Sequence, residues 1–465
     1  MKKNVHRYEH GPTTCSAAPD VVENVKHQIQ QSFALSRGDV RLAAAMGLVT
    51  ANVLRPLGFN DGVFYPPEEA GTLAAHAPLN APPSDVLSLS TPAAATRNLH
   101  ALALMVDFSD NVGTRPAAEF ERMLFDPTNP DSMTSIYKEL SYGKLKVTGE
   151  VIGYIRAPRP YSFYTNGQSG TGTNFPNNTP GLLVDALTEF CRTDSLARFD
   201  TDGDGFVDGI FLIHAGGGAE AEPDPAVRPH KIWSHKWLLP TSFVNNGVRV
   251  STYSTEPEDG RVGVFSHEFG HVLGLPDLYD SNYLSKGIGN WCLMSGGSWG
   301  GGGNKPVRMS CWCLAKLGWI KPTNVKTART IQLKTLASGK SHCYRLWSKG
   351  KSGPEYFLIE NRQKTGRDSA LPGSGMALWH VDERQPSNTN PLSYLVGLVQ
   401  ADGKRDLEFN RNDGDTGDLF PGSKNVKQVD DATMPSTRAN DGTPTGVSLK
   451  NIAENTGEIT VDVKV

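Results

Sequence analysis

Apolar residues recur at helical spacing in one short segment near the middle of the chain. They are Val264, Phe265, Phe269, Val272 and Leu273. This spacing predicts a buried helix over residues 263–273. Gly274 can end a helix in the left-handed conformation, and Pro276 prevents the helix from resuming, so the chain must turn there.

Short apolar runs typical of strands lie on both sides of this helix. Before it, the runs at 100–108 and 209–213 predict strands of an α/β region. After Pro322, further runs are separated by Gly, Pro and Asn turns, which predicts antiparallel strands. These later runs are 330–333, 356–359, 376–381 and 458–465. We therefore expect an α+β fold class.

The same patterns divide the chain into three predicted parts. Residues 1–96 are rich in Ala, Pro and polar residues, with one amphipathic stretch at 21–35, and resemble a prosegment or packing arm. Residues 97–322 contain the buried helix and form the predicted catalytic domain. Residues 323–465 form the predicted β-rich C-terminal domain.

Composition limits the classes of partner. The chain has 465 residues and a formal net charge of −3, so we predict no nucleic-acid partner. No apolar run reaches the roughly 18 residues of a membrane span, so we predict none. The first ten residues begin with positive charge but lack the apolar stretch of a secretion signal. We expect a monomer, and the sequence leaves its location open.

Metal-ligating side chains lie within the predicted helix. His267 and His271 are four residues apart, so they share one face and can reach a single Zn²⁺ at about 2.0–2.1 Å. Glu268 lies on the adjacent flank, where it can contact a water bound to that metal. The alternative is an ordinary core helix with two hydrogen-bonded histidines, but the His-Glu-x-x-His spacing arises rarely by chance. The pattern predicts a catalytic zinc site.

The third zinc ligand is less certain from the sequence. A thermolysin-like site takes a Glu from a second helix downstream, but residues 281–354 contain no Asp or Glu. Asp277 is the best-placed carboxylate because it follows the turn after the helix, and Asp280 is second. Weaker candidates remain, namely His342, Cys292, Cys311, Cys313 and Cys343.

The His-Glu-x-x-His motif and several other segments resemble the metzincin clan and, within it, the immune inhibitor A-like metalloproteases. The segments that carry the resemblance are 103–110, 232–237, 267–280, 290–299, 317–319, 358–362 and 379–383. The resemblance implies a metzincin-like catalytic domain, a secreted protein, and Met294 as the Met-turn beneath the metal ligands. Ser295 and Gly296 follow Met294 where some branches have a Tyr, so no oxyanion stabiliser is assigned.

These residues predict a zinc endopeptidase that hydrolyses peptide bonds of protein substrates. Glu268 is the expected catalytic base, because it can take a proton from the zinc-bound water and return it to the departing amine. Two other classes stay open. One is a catalytically silent, calcium-stabilised binding or adhesion protein on a protease scaffold, and the other is a zinc hydrolase acting on non-peptide bonds.

A second constellation has the spacing of a calcium loop. Asp200, Asp202, Asp204 and Asp208 alternate around glycines, and with the Phe206 carbonyl they could provide most of the oxygens that Ca²⁺ needs. A plain Asp/Gly turn is the alternative. A weaker calcium candidate, which a solvated acidic loop explains at least as well, comprises Asp402, Asp406, Glu408, Asn410, Asp413, Asp415 and Asp418.

Two further features concern the surroundings of the zinc site. Cys15 lies in the prosegment-like part, and its thiolate could occupy the open zinc position and hold the enzyme latent as a zymogen. The alternative is a thiol in a mobile tail. Trp233, His235 and Trp237 alternate as on one face of a strand, which suits either the border of the substrate cleft or a buried aromatic strand.

Overall fold

A six-stranded sheet forms the centre of the computed structural model, which describes residues 13–18, 97–281 and 284–465. Its strands are Thr13–Thr14 (β1), Arg97–Asp107 (β2), Leu145–Arg156 (β3), Ile210–His214 (β4), His235–Asn245 (β5) and Val248–Pro257 (β6). The spatial order is β1-β5-β6-β4-β2-β3. Strands β3, β2, β4 and β6 are parallel, whereas β5 is antiparallel to β6 and β1 is antiparallel to β5.

Helices cover both faces of this sheet. They are Ala117–Leu124 (α1), Met133–Leu140 (α2), Tyr161–Thr165 (α3), Thr179–Phe190 (α4), Val262–Val272 (α5) and Cys311–Lys316 (α6). Alternate residues of β2 point to opposite sides, so Ala103 and Met105 pack with α1, α2 and α5, whereas Leu104 and Val106 pack with α3 and α4. The sheet is thus the middle of three layers.

Helix α5 is the predicted zinc helix, and its bounds differ from the predicted ones by one residue at each end. Phe269 stacks on Phe211 of β4 with ring centroids 5.8 Å apart, and Tyr137 of α2 packs edge-on against it at 4.9 Å. The helix ends because Gly274 adopts a φ of 91°, which a side chain would disfavour. Aromatic packing therefore holds α5 against the sheet, and the glycine turns the chain back.

The rest of the chain forms two smaller sheets. Their strands are Thr323–Val325 (β7), Arg329–Leu333 (β8), Cys343–Trp347 (β9), Glu355–Arg362 (β10), Gly375–Asp382 (β11), Val396–Leu398 (β12), Ser448–Asn455 (β13) and Glu458–Lys464 (β14). One sheet has the order β12-β11-β10-β9-β7 and the other β13-β14-β8. All their pairings are antiparallel except that of β7 with β9.

Buried side chains cross the predicted border at residue 322. One hydrophobic cluster contains Phe269 of α5, Trp291 and Trp312, and it continues to Trp379 of β11. The strand-rich part therefore packs directly on the region around α5, and the division into three domains stays a prediction. The amphipathic stretch 21–35 lies outside the described residues. Within the described ranges, no helix is both long and apolar enough to cross a membrane.

Candidate metal centre

Three polar side chains of α5 are buried between the middle of the helix and its last turn. His267 and Glu268 are fully buried and His271 is 4% exposed, although all three are polar. The two imidazole rings meet edge to face, with centroids 4.7 Å apart. Burial of such groups is unfavourable unless they are hydrogen-bonded or coordinate a metal, so their partners decide what the site can hold.

The Nε2 atoms of both histidines converge on one carboxylate oxygen. Asp277 Oδ1 lies 3.0 Å from His267 Nε2 and 3.2 Å from His271 Nε2, and the two Nε2 atoms are 3.1 Å apart. Ligands bound to zinc at about 2.0–2.1 Å in a tetrahedron lie about 3.3 Å from one another. The three atoms are therefore spaced like three corners of a zinc coordination sphere.

The opposite ring nitrogens determine the tautomers. His267 Nδ1 donates to the Leu293 carbonyl at 2.9 Å, and His271 Nδ1 donates to the Leu275 carbonyl at 2.8 Å. Because carbonyls only accept, each neutral ring carries its proton on Nδ1, which leaves Nε2 as an acceptor. Three acceptor atoms then face one another, an arrangement that a cation among them would stabilise. The three donor atoms, and the carbonyls that hold the far side of both rings, fit zinc.

The structure distinguishes between the two loop carboxylates. Asp277 meets both imidazoles, and its other oxygen, Oδ2, has no hydrogen-bond partner in the described part of the chain. Asp280 instead accepts from the Ser285 amide at 3.0 Å and from the Ser285 hydroxyl at 2.8 Å. The loop is fixed by the Leu278 amide, which donates to the Met294 carbonyl at 2.7 Å.

The weaker ligand candidates lie elsewhere. The sulfur atoms of Cys292 and Cys313 are 3.9 Å apart, so these two residues contact each other. Cys311 is hydrogen-bonded to Cys343, which begins β9. His342 lies between β8 and β9. Among the candidates, Asp277 is the residue that the fold brings to the histidines.

Met294 packs directly beneath the helix. It is fully buried, and a Cβ added at Gly270 would lie only 2.3 Å from its sulfur atom. Only a residue without a side chain allows this close approach, which explains the glycine inside the His-Glu-x-x-His motif. The short 3-10 turns Gly289–Trp291 and Gly296–Trp299 flank the methionine.

The Glu268 carboxylate has an oxygen within 4.8 Å of ring nitrogens of His267 and His271. Neither of its carboxylate oxygens has a hydrogen-bond partner among the described residues. Burial raises the pKa of Glu268 well above its usual range, and the negative charges of Glu256 and Asp277 raise it further. One buried carboxylate surrounded by others has a local excess of negative charge, which a divalent cation would offset.

Three charged neighbours of Glu268 were not singled out from the sequence. Burial raises the pKa of Glu220 to about 7 and that of Glu256 well above its usual range. Burial lowers the pKa of Lys236 to about 8, while the charge of Glu268 acts in the opposite direction. These three charges act on Glu268 from distant parts of the sequence. Only Lys236 lies in a segment that the sequence analysis noted, namely 232–237.

Cys15 lies inside the site region and not on the surface. It is fully buried, and the charges of Glu268, Glu220 and Asp277 all act on its thiol. Burial raises the pKa of Cys15 well above its usual range, and these negative charges raise it further. The fold therefore brings Cys15 within electrostatic range of the predicted metal centre, and its role in latency stays a prediction.

The three alternating aromatic residues are buried. Trp233, His235 and Trp237 are each at most 2% exposed, and β5 begins at His235. His235 Nε2 lies 2.9 Å from the Tyr253 hydroxyl, and burial lowers the pKa of His235 to about 3. The buried aromatic strand describes these residues better than an open cleft border, although Trp233 donates to the Cys15 carbonyl at 2.9 Å.

The predicted calcium loop is only partly assembled. Asp200, Asp202 and Asp204 can bring one oxygen each within 4.8 Å of the others. The fourth carboxylate, Asp208, instead accepts from the His100 amide at 2.7 Å and from Thr201. Calcium at this loop stays a prediction.

The weaker acidic cluster already contains a cation. Asp402, Asp406 and Asp415 lie close together. The Lys404 ammonium is 2.6 Å from Asp402 and 3.8–3.9 Å from the other two carboxylates. An ion-paired acidic loop accounts for this cluster.

Comparison with known families matches the region around α5. Residues 117–319 match the family described as immune inhibitor A peptidase M6, catalytic domain. This region is similar to the catalytic domain of the peptidase M6 family. The matched M6 region contains α5, the Asp277 loop and Met294, but it begins after β2 and therefore later than the predicted boundary at residue 97.

Curated relatives of the M6 region come from two bacteria. Immune inhibitor A of Bacillus thuringiensis subsp. alesti is 30% identical over 261 residues, covering 45% of this chain and 38% of the relative. The pre-pro-metalloprotease PrtV of Vibrio cholerae serotype O1 (strain M66-2) is 30% identical over 265 residues, covering 45% of this chain and 28% of the relative. The similarity thus spans well under half of each relative.

Proposed function

We propose that this chain is a zinc-dependent endopeptidase that cleaves peptide bonds in protein substrates. His267, His271 and Asp277 would hold the metal, and Glu268 would be the catalytic base. The M6 match and the metalloprotease name of the Vibrio relative support a peptidase, and extending that activity to this chain is part of the proposal.

One observation carries the proposal. The two Nε2 atoms and Asp277 Oδ1 lie 3.0–3.2 Å apart, while backbone carbonyls hold the Nδ1 protons on the far side of both rings. Without a cation, three acceptors would repel one another inside a buried site. A core helix with two satisfied histidines would have no reason to aim both Nε2 atoms at one carboxylate.

Each residue then has a separate task. When bound, zinc supplies Lewis-acid chemistry that makes water nucleophilic near neutral pH and polarises the scissile carbonyl. Glu268 accepts the proton of the attacking water on a carboxylate oxygen and donates it to the nitrogen of the departing amine. The Leu293 and Leu275 carbonyls orient the histidines, and Met294 supports α5 from below.

The test separates chemistry from metal binding. Glu268→Gln should lower the hydrolysis rate of denatured casein by about 10²–10⁴-fold while the protein keeps one zinc, since the amide cannot accept the proton. Glu189→Gln is the matched control, because Glu189 is half-exposed on α4 at the other face of the sheet. Zinc content is measured by mass spectrometry and hydrolysis with and without chelator.

Two results would contradict the proposal. One is casein hydrolysis that persists in Glu268→Gln or in the presence of a chelator. The other is a wild-type chain, freed of residues 1–96, that contains zinc but cleaves no peptide bond, as expected for a silent binding protein or for a hydrolase of other bonds.

A further inference from the structure

The segment 13–18 adds a strand to the edge of the six-stranded sheet. Thr13 and Thr14 pair antiparallel with Lys236 and His235 of β5. The ladder continues beyond β1, because the Cys15 amide donates to the Ser234 carbonyl at 2.9 Å. An extended peptide that pairs with an exposed strand is bound mainly by its main-chain hydrogen bonds. Here that peptide is part of the same chain.

Two tryptophan side chains and one backbone carbonyl of the M6 region hold this segment at Cys15, Ser16 and Ala18. Trp233 Nε1 donates to the Cys15 carbonyl at 2.9 Å, and Trp299 Nε1 donates to the Ser16 carbonyl at 3.0 Å. The Ala18 amide donates to the Glu220 carbonyl at 2.9 Å. These contacts come from parts of the chain more than 200 residues away in sequence. They fix the path of the segment across the region that contains the proposed metal centre.

The segment brings the Cys15 thiol within electrostatic range of the proposed metal ligands and base. Cys15 is fully buried, and it lies close enough to Glu268 and Asp277 for both charges to act on its thiol. Both Glu268 oxygens and Asp277 Oδ2 are buried without hydrogen-bond partners in the described residues. Ser16 and Ala17 line a pocket together with Tyr279 and Trp299. The segment thus lies next to the loop that follows Asp277 and the turn that follows Met294.

We propose that residues 13–18 are a built-in inhibitor in which the Cys15 sulfur binds the metal as its fourth ligand. The proposal rests on the proposed function, because it needs the metal held by His267, His271 and Asp277. Thiolate sulfur is a strong zinc ligand at about 2.3 Å. The thiol proton passes to solvent when sulfur coordinates, and it returns when the segment leaves.

The segment would keep the enzyme latent in two ways. Coordination by sulfur removes the position that water needs, and pairing of β1 removes the open edge of β5. Activation then requires the segment to leave, either by cleavage between it and β2 or by a reagent that modifies the thiol. Residues that hold the segment, such as Trp299, are positioning residues of the latent state.

Cobalt spectroscopy tests the sulfur ligand without measuring activity. The full chain loaded with Co²⁺ should show near-ultraviolet thiolate-to-cobalt charge transfer. Cys191→Ser should keep this absorption, whereas Cys15→Ser should lose it. Cys191 is a suitable control because it is a free, partly exposed cysteine that ends α4. His271→Ala should also lose the absorption, which shows that it arises at this centre and not at the other buried cysteines.

Hydrolysis measures the inhibition. Cys15→Ser and Cys15→Ala in the full chain should raise the initial rate of peptide hydrolysis by about tenfold or more, since release no longer competes with a metal–sulfur bond. Cys191→Ser should hydrolyse at the wild-type rate. Two substitutions at position 15 are used because serine oxygen retains weak affinity for zinc and alanine has none.

The outcomes separate this inference from the proposed function. A Cys15-dependent cobalt absorption, with no peptide hydrolysis even by Cys15→Ser and Cys15→Ala, would support the sulfur ligand and overturn the peptidase. Equal hydrolysis by wild type and both Cys15 variants, with cobalt absorption that does not depend on Cys15, would overturn the inhibitor and leave the peptidase standing. In that case Cys15 is only a small buried side chain in a strand-paired segment.

Discussion

His267 and His271 each use one ring nitrogen for the backbone and one for the proposed metal. The Nδ1 atoms are bound to the Leu293 and Leu275 carbonyls, and these carbonyls come from the Met-turn and from the turn after α5. The ring orientation is therefore set before any metal arrives. Hydrogen bonds that orient a metal-binding histidine in this way typically contribute about 10–100-fold to metal affinity.

The third ligand gives a test at the residue scale. Asp277→Ala should remove one ligand and lower zinc affinity by at least about 10–100-fold, which is the loss expected when even a hydrogen-bond partner of a ligand is removed. Asp280→Asn should keep wild-type zinc affinity, because its oxygen can still accept from the Ser285 amide. Zinc affinity is measured by competition with a chromophoric chelator. Zinc loss in Asp280→Asn alone would reverse the assignment.

Residue spacing alone predicted part of this centre. The i, i+4 spacing of His267 and His271 follows from helix geometry, so a sequence pattern reports it directly. The choice between Asp277 and Asp280 depends on the path of a loop, which no local pattern encodes. The cluster of Glu220, Glu256 and Lys236 forms through tertiary contacts between a loop and two strands, and therefore has no local signal either.

At the scale of elements, α5 and the Met-turn are joined through Gly270. Gly270→Ala would place a Cβ 2.3 Å from the Met294 sulfur, so it should lower the free energy of unfolding by about 1–3 kcal/mol. Gly153→Ala is the control, since a Cβ on this exposed strand residue meets nothing within 4 Å. Chemical denaturation measures both variants.

A double variant separates this contact from a general intolerance of α5 to alanine. Met294→Ala makes room for the new methyl group, so the cost of Gly270→Ala should be smaller in a Met294→Ala background than in wild type. Equal costs in both backgrounds would show that the methionine does not pack against this glycine.

Elements were predicted unequally well. Helix α5 and strands β2, β4, β10 and β11 have long apolar runs, and the structure has each of them near its predicted position. Strand β1 has only two residues, which is too short for any periodicity, and it exists because β5 offers an unpaired edge. The sequence therefore identified Cys15 as a possible metal ligand from its side chain. Its position in the fold depends on the pairing of β1 with β5, which no local pattern predicts.

At the scale of the whole molecule, Asp418 links the C-terminal part to the metal region. Trp291 Nε1, next to the Met-turn, donates to Asp418 Oδ2 at 3.0 Å, and the Asp415 amide donates to the same oxygen at 3.0 Å. Burial raises the pKa of Asp418 to about 7. The folded chain thus favours the protonated form of the Asp418 carboxyl group that makes this link.

This link predicts a pH dependence of stability. A folded pKa raised above the unfolded value of 3.8 gives stability that is present below that value and is lost as pH rises through about 7. Asp418→Asn does not titrate, so its free energy of unfolding relative to wild type should increase between pH 4 and 8, by at most about 4 kcal/mol.

The control for this pH series is Asp110→Asn. Asp110 is exposed and also accepts a backbone amide hydrogen, from Tyr161 at 2.8 Å. Denaturant titrations at each pH compare the three proteins. A difference between Asp418→Asn and wild type that stays constant across the pH range would show that Asp418 is ionised in the folded chain.

The most direct measurement of the central claim is anomalous diffraction at the zinc edge from crystals of this chain. The account predicts one strong peak at about 2.0–2.2 Å from His267 Nε2, His271 Nε2 and an Asp277 carboxylate oxygen. A zinc peak held by other residues, or no peak at these three atoms after soaking in zinc, would contradict it.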